Sequence, residues 1–255
     1  MAAILSYMPK VVIPAEKLKS WGELWLGDTN PETGKTKNPN SFDRQQSVNF
    51  ASFIDKAVAE SLAKMLGGLP VVAGSSKKLI PSQADCVEMG PARIIGGVRP
   101  QNFDVAYRPD GVRIAFDSKT LNDLKSVGKN WQNMVNDLAT EAATVHTRFP
   151  YAIVAFMVVI PAPALGTKQQ ADLVRTLERM ASRKDVLNQS HLAEAISLVI
   201  WNPSDGSISD TIPENDSVLR IEKFSKILYP QYLNRYKGLP PHDEAGDETE
   251  ESIDD

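Results

Sequence analysis

The chain has 255 residues, 42% of them hydrophobic and 24% charged. That suffices for one sizeable domain and excludes a collagen-like, coiled-coil, wholly disordered or disulfide-framework protein. The formal charge of −4 argues at face value against a nucleic-acid partner, but eight of the 32 acids fall in residues 243–255, which leaves 28 basic and 24 acidic groups, or +4, in the rest.

Residues 1–26, with Trp21 and Trp25, read as a short capping segment. Its apolar start has no charged leader and breaks at Pro9 and Pro14, so it does not read as a signal peptide. Residues 27–40 are a polar, turn-rich loop. The loop contains Gly34-Lys35-Thr36, the ending of a phosphate-binding loop, but Thr29 stands where that motif needs its first glycine, so a phosphate cradle is discarded. Residues 44–66 form the first strong helix, with Val48, Phe53, Ala57, Leu62, Met65 and Leu66 near one stripe and Gly67-Gly68 as its stop.

Extended pieces follow around residues 69–73 and 87–95. In residues 102–108, Phe103, Val105 and Tyr107 alternate with Asn102, Asp104 and Ala106. Pro109-Asp110-Gly111 is a turn, since Pro presets φ and Gly supplies a positive one. A second strand over residues 112–118 completes a hairpin, with Val112, Ile114 and Phe116 on one face. A long helix is predicted over 121–147, a buried strand over 152–160, a helix over 168–184, a buried strand over 195–201, and a helix over 219–237 that breaks at Pro230. This order predicts an α/β domain whose mixed central sheet is flanked by helices. One domain is expected over residues 1–240, followed by a disordered acidic tail over 241–255.

The single cysteine, Cys86, excludes an intramolecular disulfide, points to a reducing cytoplasm and reads as a bystander thiol. The longest apolar run, residues 152–160, is too short to cross a bilayer. No membrane is expected, and the two N-glycosylation sequons, at Asn188 and Asn215, are taken as chance matches.

The chemistry concentrates in the hairpin. Residues two apart on a strand share a face, so Asp117 and Lys119 point the same way, and the tight turn brings Asp104 alongside Asp117. Two carboxylates and an ammonium beside a sheet need a neutralising cation, and Mg²⁺ suits hard oxygen ligands. A second Asp-x-Lys, Asp123-Leu-Lys125, lacks an acidic strand partner.

A strand carrying an acid, a turn, a strand ending Asp117-Ser118-Lys119 and then a helix together resemble the PD-(D/E)xK superfamily, the fold of most type II restriction endonucleases. The resemblance covers about residues 44–160, with 161–240 as a C-terminal elaboration. It departs from the family pattern in having Phe103 rather than Pro before Asp104, and Asp rather than the commoner Glu at 117. The resemblance implies a restriction-endonuclease-like fold and Mg²⁺-dependent hydrolysis of phosphodiester bonds, with Asp104 and Asp117 holding one or two ions and Lys119 orienting the attacking water. It further implies that Glu60, in the first helix, completes the site, and that Gln132, beside Trp131, is an auxiliary polar residue. A cytoplasmic type II restriction enzyme of a bacterium or archaeon is expected, acting on double-stranded DNA as a homodimer. The alternatives are a repair, recombination or phage-defence nuclease of low specificity, and a non-catalytic nucleic-acid-binding protein of the same fold.

For DNA contacts, Arg175, Arg179 and Arg183 are expected to form one basic stripe on the third helix, suited to phosphates. Lys77 and Lys78 lie in a Gly-Ser loop that could approach a groove. Lys223, Lys226, Arg235 and Lys237 interleave with Phe224, Tyr229, Tyr232 and Tyr236, as a backbone clamp or a dimer surface.

Overall fold

The computed structural model describes residues 9–236, 238 and 239. Residues 1–8, Lys237 and the acidic segment expected to be disordered, 241–255, lie outside the described residues. Chain order gives α1 (Ala15–Leu26), α2 (Arg44–Met65), β1 (Val71–Ala73), β2 (Val87–Ile95), β3 (Pro100–Tyr107), β4 (Ile114–Thr120), α3 (Val127–His146), β5 (Ile153–Pro161), α4 (Thr167–Met180), β6 (Ala195–Trp201) and α5 (Ile221–Tyr236).

Helix α2 starts at Asp43, whose carboxylate accepts the Gln46 N–H at 2.8 Å while the Gln46 side chain accepts the Asp43 N–H at 3.1 Å. This reciprocal cap satisfies two of the otherwise orphaned donors of the first turn. The buried stripe of α2 is Phe50, Ile54, Val58 and Leu62. Of the expected stripe, Leu62, Met65 and Leu66 are buried, but Val48 is exposed and Phe53 and Ala57 only half-buried, so its first half lies off the inward face.

The strands form one six-stranded sheet in sequence order, β1 to β6. β3 runs antiparallel to β2 and β4, while β1/β2, β4/β5 and β5/β6 pair in parallel. The sheet is therefore mixed, as expected for an α/β domain. Every residue of β5 and β6 is buried, which explains their uninterrupted apolar runs. One face packs against α1, α2 and α5 through Trp25, Phe50, Ile54, Phe116, Trp201 and Tyr232. The other packs against α3 and α4 through Phe103, Leu138, Phe156, Leu173 and Leu177.

Three boundaries differ from the sequence reading. α3 begins at Val127 rather than 121, because residues 121–126 make other bonds: Leu121 N–H to Val159, Leu124 N–H to Asn40 and Lys125 N–H to the Asp123 carboxylate. α4 stops at Met180, where Ala193 N–H takes the Met180 carbonyl and turns the chain inward. α5 continues through Pro230 instead of breaking there. Pro230 and Lys226 are both exposed, so the carbonyl that loses its helical partner faces water and the cost of the proline is moderated.

The loop between α1 and α2 is folded around Lys37, whose ammonium donates to the carbonyls of Trp25, Gly27, Asn38 and Ser41. The fully buried Trp25 donates its indole N–H to the Asn122 carbonyl at 2.5 Å, tying α1 to the segment after β4. No helix among the described residues is long and apolar enough to cross a membrane.

Candidate active site

The β3–β4 hairpin forms where the turn chemistry places it. Gly111 takes φ +132°, and the Asp110 carboxylate forks onto the Arg113 guanidinium at 2.8 and 2.6 Å. The ladder pairs Val105 with Phe116, Ala106 with Ala115 and Tyr107 with Ile114, then stops. The next step would oppose Asp104 to Asp117. Here β3 turns over: Phe103 packs in the α3/α4 layer, while Val105 and Tyr107 pack in the α1/α2/α5 layer. A bulge in β2, between Met89 and Ala92, accompanies this change. The strands part at the two acids. The Ser118 N–H donates to the Asp104 carboxylate at 3.0 Å in place of a ladder carbonyl, and the Ser118 hydroxyl reaches the same oxygen at 3.3 Å.

Asp104, Asp117 and Lys119 are thus brought together. The Lys119 ammonium bridges the Asp117 carboxylate and, at 2.9 Å, Glu141 from α3. Glu141 is held in turn by the Gln101 side-chain amide at 3.0 Å. Asp117 and Glu141 are both buried. A further acid comes from α2, where the buried Asp55 faces Asp104. One oxygen of Asp55 and one of Glu141 are buried without a hydrogen-bond partner.

Crowding and burial decide the protonation of these acids. Burial, reinforced by the charge of Asp104, pushes the Asp55 carboxyl up to about 8. Burial and the adjoining Asp117 carboxyl lift Asp104 to about 8. Asp117 is lifted to about 6, again by burial, with Asp104 and Lys119 acting the other way. Burial works against the Lys119 ammonium, but the Asp117 and Glu141 carboxylates outweigh it and hold its pKa above the ordinary value. At neutral pH the cluster therefore retains protons that its residues lose in water.

This has a measurable consequence. An acid whose folded pKa exceeds its unfolded value imposes no penalty below the unfolded pKa. It then destabilises the fold progressively as pH rises toward the folded pKa. In EDTA, stability is expected to fall from about pH 4 to pH 8, by on the order of 1 kcal/mol per pH unit. Urea unfolding at several pH values in that window checks it. A flat or rising stability between pH 5 and 8 would contradict the crowding of Asp55 and Asp104.

Other sequence candidates lie elsewhere. Glu60 is 54% exposed and pairs with Lys56 at 3.9 Å on the outer face of α2, away from the cluster. The acid that α2 contributes is Asp55. Gln132 is exposed on α3, and the inward polar residue of that helix is Glu141. The Asp123-Lys125 copy is an exposed turn. Cys86 is a buried free thiol.

The expected arginine stripe is broken. Arg175 and Arg179 are exposed on α4, but Arg183 lies past the helix end and is buried, its guanidinium on Glu194 and on the carbonyls of Pro150 and Val186. A basic residue so placed serves the core, not a phosphate. Lys77 and Lys78 are exposed on the loop after β1. Of the C-terminal set, Phe224, Tyr232 and Tyr236 are core residues, Arg235 is drawn onto Glu194 at 2.8 Å, and Lys223 and Lys226 remain at the surface.

Among the described residues no three His, Cys, Asp or Glu side chains already converge as a cation-binding set. The donor chemistry nevertheless suits a hard cation: three crowded carboxyl groups with raised pKa, one of them with an unpartnered buried oxygen. No family model, curated protein or solved structure matches the chain.

Proposed function

We propose that this protein is a Mg²⁺-dependent DNA endonuclease of the restriction-endonuclease-like fold, whose active site is the cluster of Asp104, Asp117, Lys119 and Asp55. One observation carries the reading: strands β3 and β4 part at Asp104 and Asp117, beside a lysine whose ammonium is fixed in place. Asp104 and Asp117 would hold the cation, with Asp55 the third available carboxylate. A bound Mg²⁺ supplies polarisation of the scissile phosphate and stabilisation of the leaving oxygen.

The remaining chemistry belongs to the chain itself. An ammonium has three donors, and the one that Lys119 does not give to Asp117 or Glu141 is available to a water molecule. Glu141 and Gln101 act as positioning residues, since Glu141 holds the Lys119 ammonium and Gln101 holds Glu141. Burial of the site strengthens each of these interactions relative to bulk water. Arg175, Arg179, Lys77 and Lys78 are exposed and available for backbone contacts with double-stranded DNA. Two active sites in a homodimer would serve the two strands of a duplex, as in a type II restriction enzyme.

A second reading has its own observation. Lys119 already pairs with both Asp117 and Glu141 in a buried ion-pair network, which favours a non-catalytic nucleic-acid-binding protein of this fold. Incubation with plasmid DNA and Mg²⁺ separates the readings. Discrete fragments are expected of a restriction enzyme, and a smear or nicks of a nuclease of low specificity. Intact plasmid with Mg²⁺ and with Mn²⁺ would leave only the binding protein.

A further inference from the structure

The outer face of α1 and α2 carries an open groove of about 1310 Å³, bounded by Lys10, Lys17, Lys56 and Lys64 and floored by Trp21, Phe53 and Tyr229. The four lysines are exposed, and the three rings are half-buried. Glu60 is the one acid among the lining residues, so the groove has a formal charge of +3. Phe53, Lys56, Glu60 and Lys64 recur every three or four residues and form one stripe about 16 Å long, with Lys17 and Trp21 matching it on α1. Asp55 projects from nearly the opposite side of α2, toward the sheet. The groove and the acidic cluster are therefore separate surfaces, and a ligand of the groove is independent of the nuclease reading.

Ammonium groups on flexible stems meet phosphates, and partly exposed ring faces meet unpaired bases. An acidic peptide would engage the lysines but leave the rings unused. A duplex keeps its bases stacked and away from them. A small anion does not match the size, which exceeds the roughly 300–1,000 Å³ of small-molecule pockets. We propose that this groove binds single-stranded nucleic acid, its backbone on Lys17, Lys56 and Lys64 and its bases against Trp21, Phe53 and Tyr229.

The test uses the full chain in EDTA and a short fluorescein-labelled oligothymidylate, with affinity read by anisotropy over a range of salt. A Lys17→Glu/Lys56→Glu/Lys64→Glu variant changes only exposed side chains, and an unchanged melting temperature verifies its fold. It is expected to bind at least tenfold more weakly, with the slope of log affinity against log salt reduced by about 2, or roughly 0.7 per phosphate contact. Oligomers carrying 5-iodouracil are expected to cross-link to peptides containing Trp21, Phe53 or Tyr229. Absence of binding by the wild type, an unchanged affinity and slope in the triple variant, or a loss of duplex binding in that variant as large as its loss of oligothymidylate binding would overturn the proposal. So would cross-linking confined to peptides that contain none of the three rings.

Discussion

Asp104→Asn is expected to make the protein more stable and, on the proposed function, inactive. The asparagine keeps an oxygen for the Ser118 N–H and gains an amide that can donate to Asp117, so the local bonds survive. What disappears is a carboxyl group that burial and its neighbour hold at about 8. In EDTA at pH 8 the gain should be on the order of 1–2 kcal/mol, or a few degrees in melting temperature. The decline of stability with pH should flatten as well. Cleavage should fall by about 10²–10³-fold or more, the usual cost of removing a group that organises transition-state charge. Stability gained at the expense of activity is the signature of a functional cluster. A destabilised variant would show instead that Asp104 is a structural anchor.

The second large effect lies outside that cluster. Glu194 is fully buried among His146, Arg183 and Arg235, and it also accepts the Val154 N–H at 2.8 Å. Burial works against its charge, but His146 and Arg235 outweigh it and hold its pKa below the ordinary carboxylate value. These partners come from α3, the segment after α4, β5 and α5, so one carboxylate fastens the α3/α4 layer to the α5 layer. Glu194→Gln leaves buried cations without a counter-charge and is expected to cost about 3–5 kcal/mol in urea unfolding at pH 7. The partly exposed Arg220–Glu222 pair offers a contrast, and Glu222→Gln should cost less than about 1 kcal/mol. Equal losses in the two variants would mean that the Glu194 network contributes no more than a surface pair.

The hairpin was legible because its signals are local. Alternation with period two, a Pro-Asp-Gly turn and the Asp117-x-Lys119 spacing all lie within twenty residues and all concern one backbone geometry. β5 and β6 were legible because burial on both faces leaves a continuous apolar run. Asp55 was missed for a physical reason. Glu60 entered only through the family resemblance, which places an acid in this helix, and an apolar stripe that mixes outward Val48 with inward Leu62, Met65 and Leu66 does not single out the inward acid. The signal was present: Glu60 has Lys56 and Lys64 one turn away on either side, as a solvated residue does, while Asp55 sits among Ile54, Val58 and Ala59. Arg183 was misread because helical spacing cannot report that the helix ends at Met180, nor that a carboxylate eleven residues on draws the side chain inward. Glu141 has no local signature, since its partner Lys119 lies 22 residues away on β4.

Supercoiled plasmid exposed to the wild type and to Asp117→Asn, each in Mg²⁺ and in EDTA, tests the central claim most directly. The wild type is expected to nick or linearise the plasmid only with the metal present. Asp117→Asn is expected to leave it intact while remaining folded by circular dichroism. Metal-independent cleavage, equal cleavage by the folded variant, or an inert wild type in both Mg²⁺ and Mn²⁺ would contradict the assignment of phosphodiester hydrolysis to this cluster.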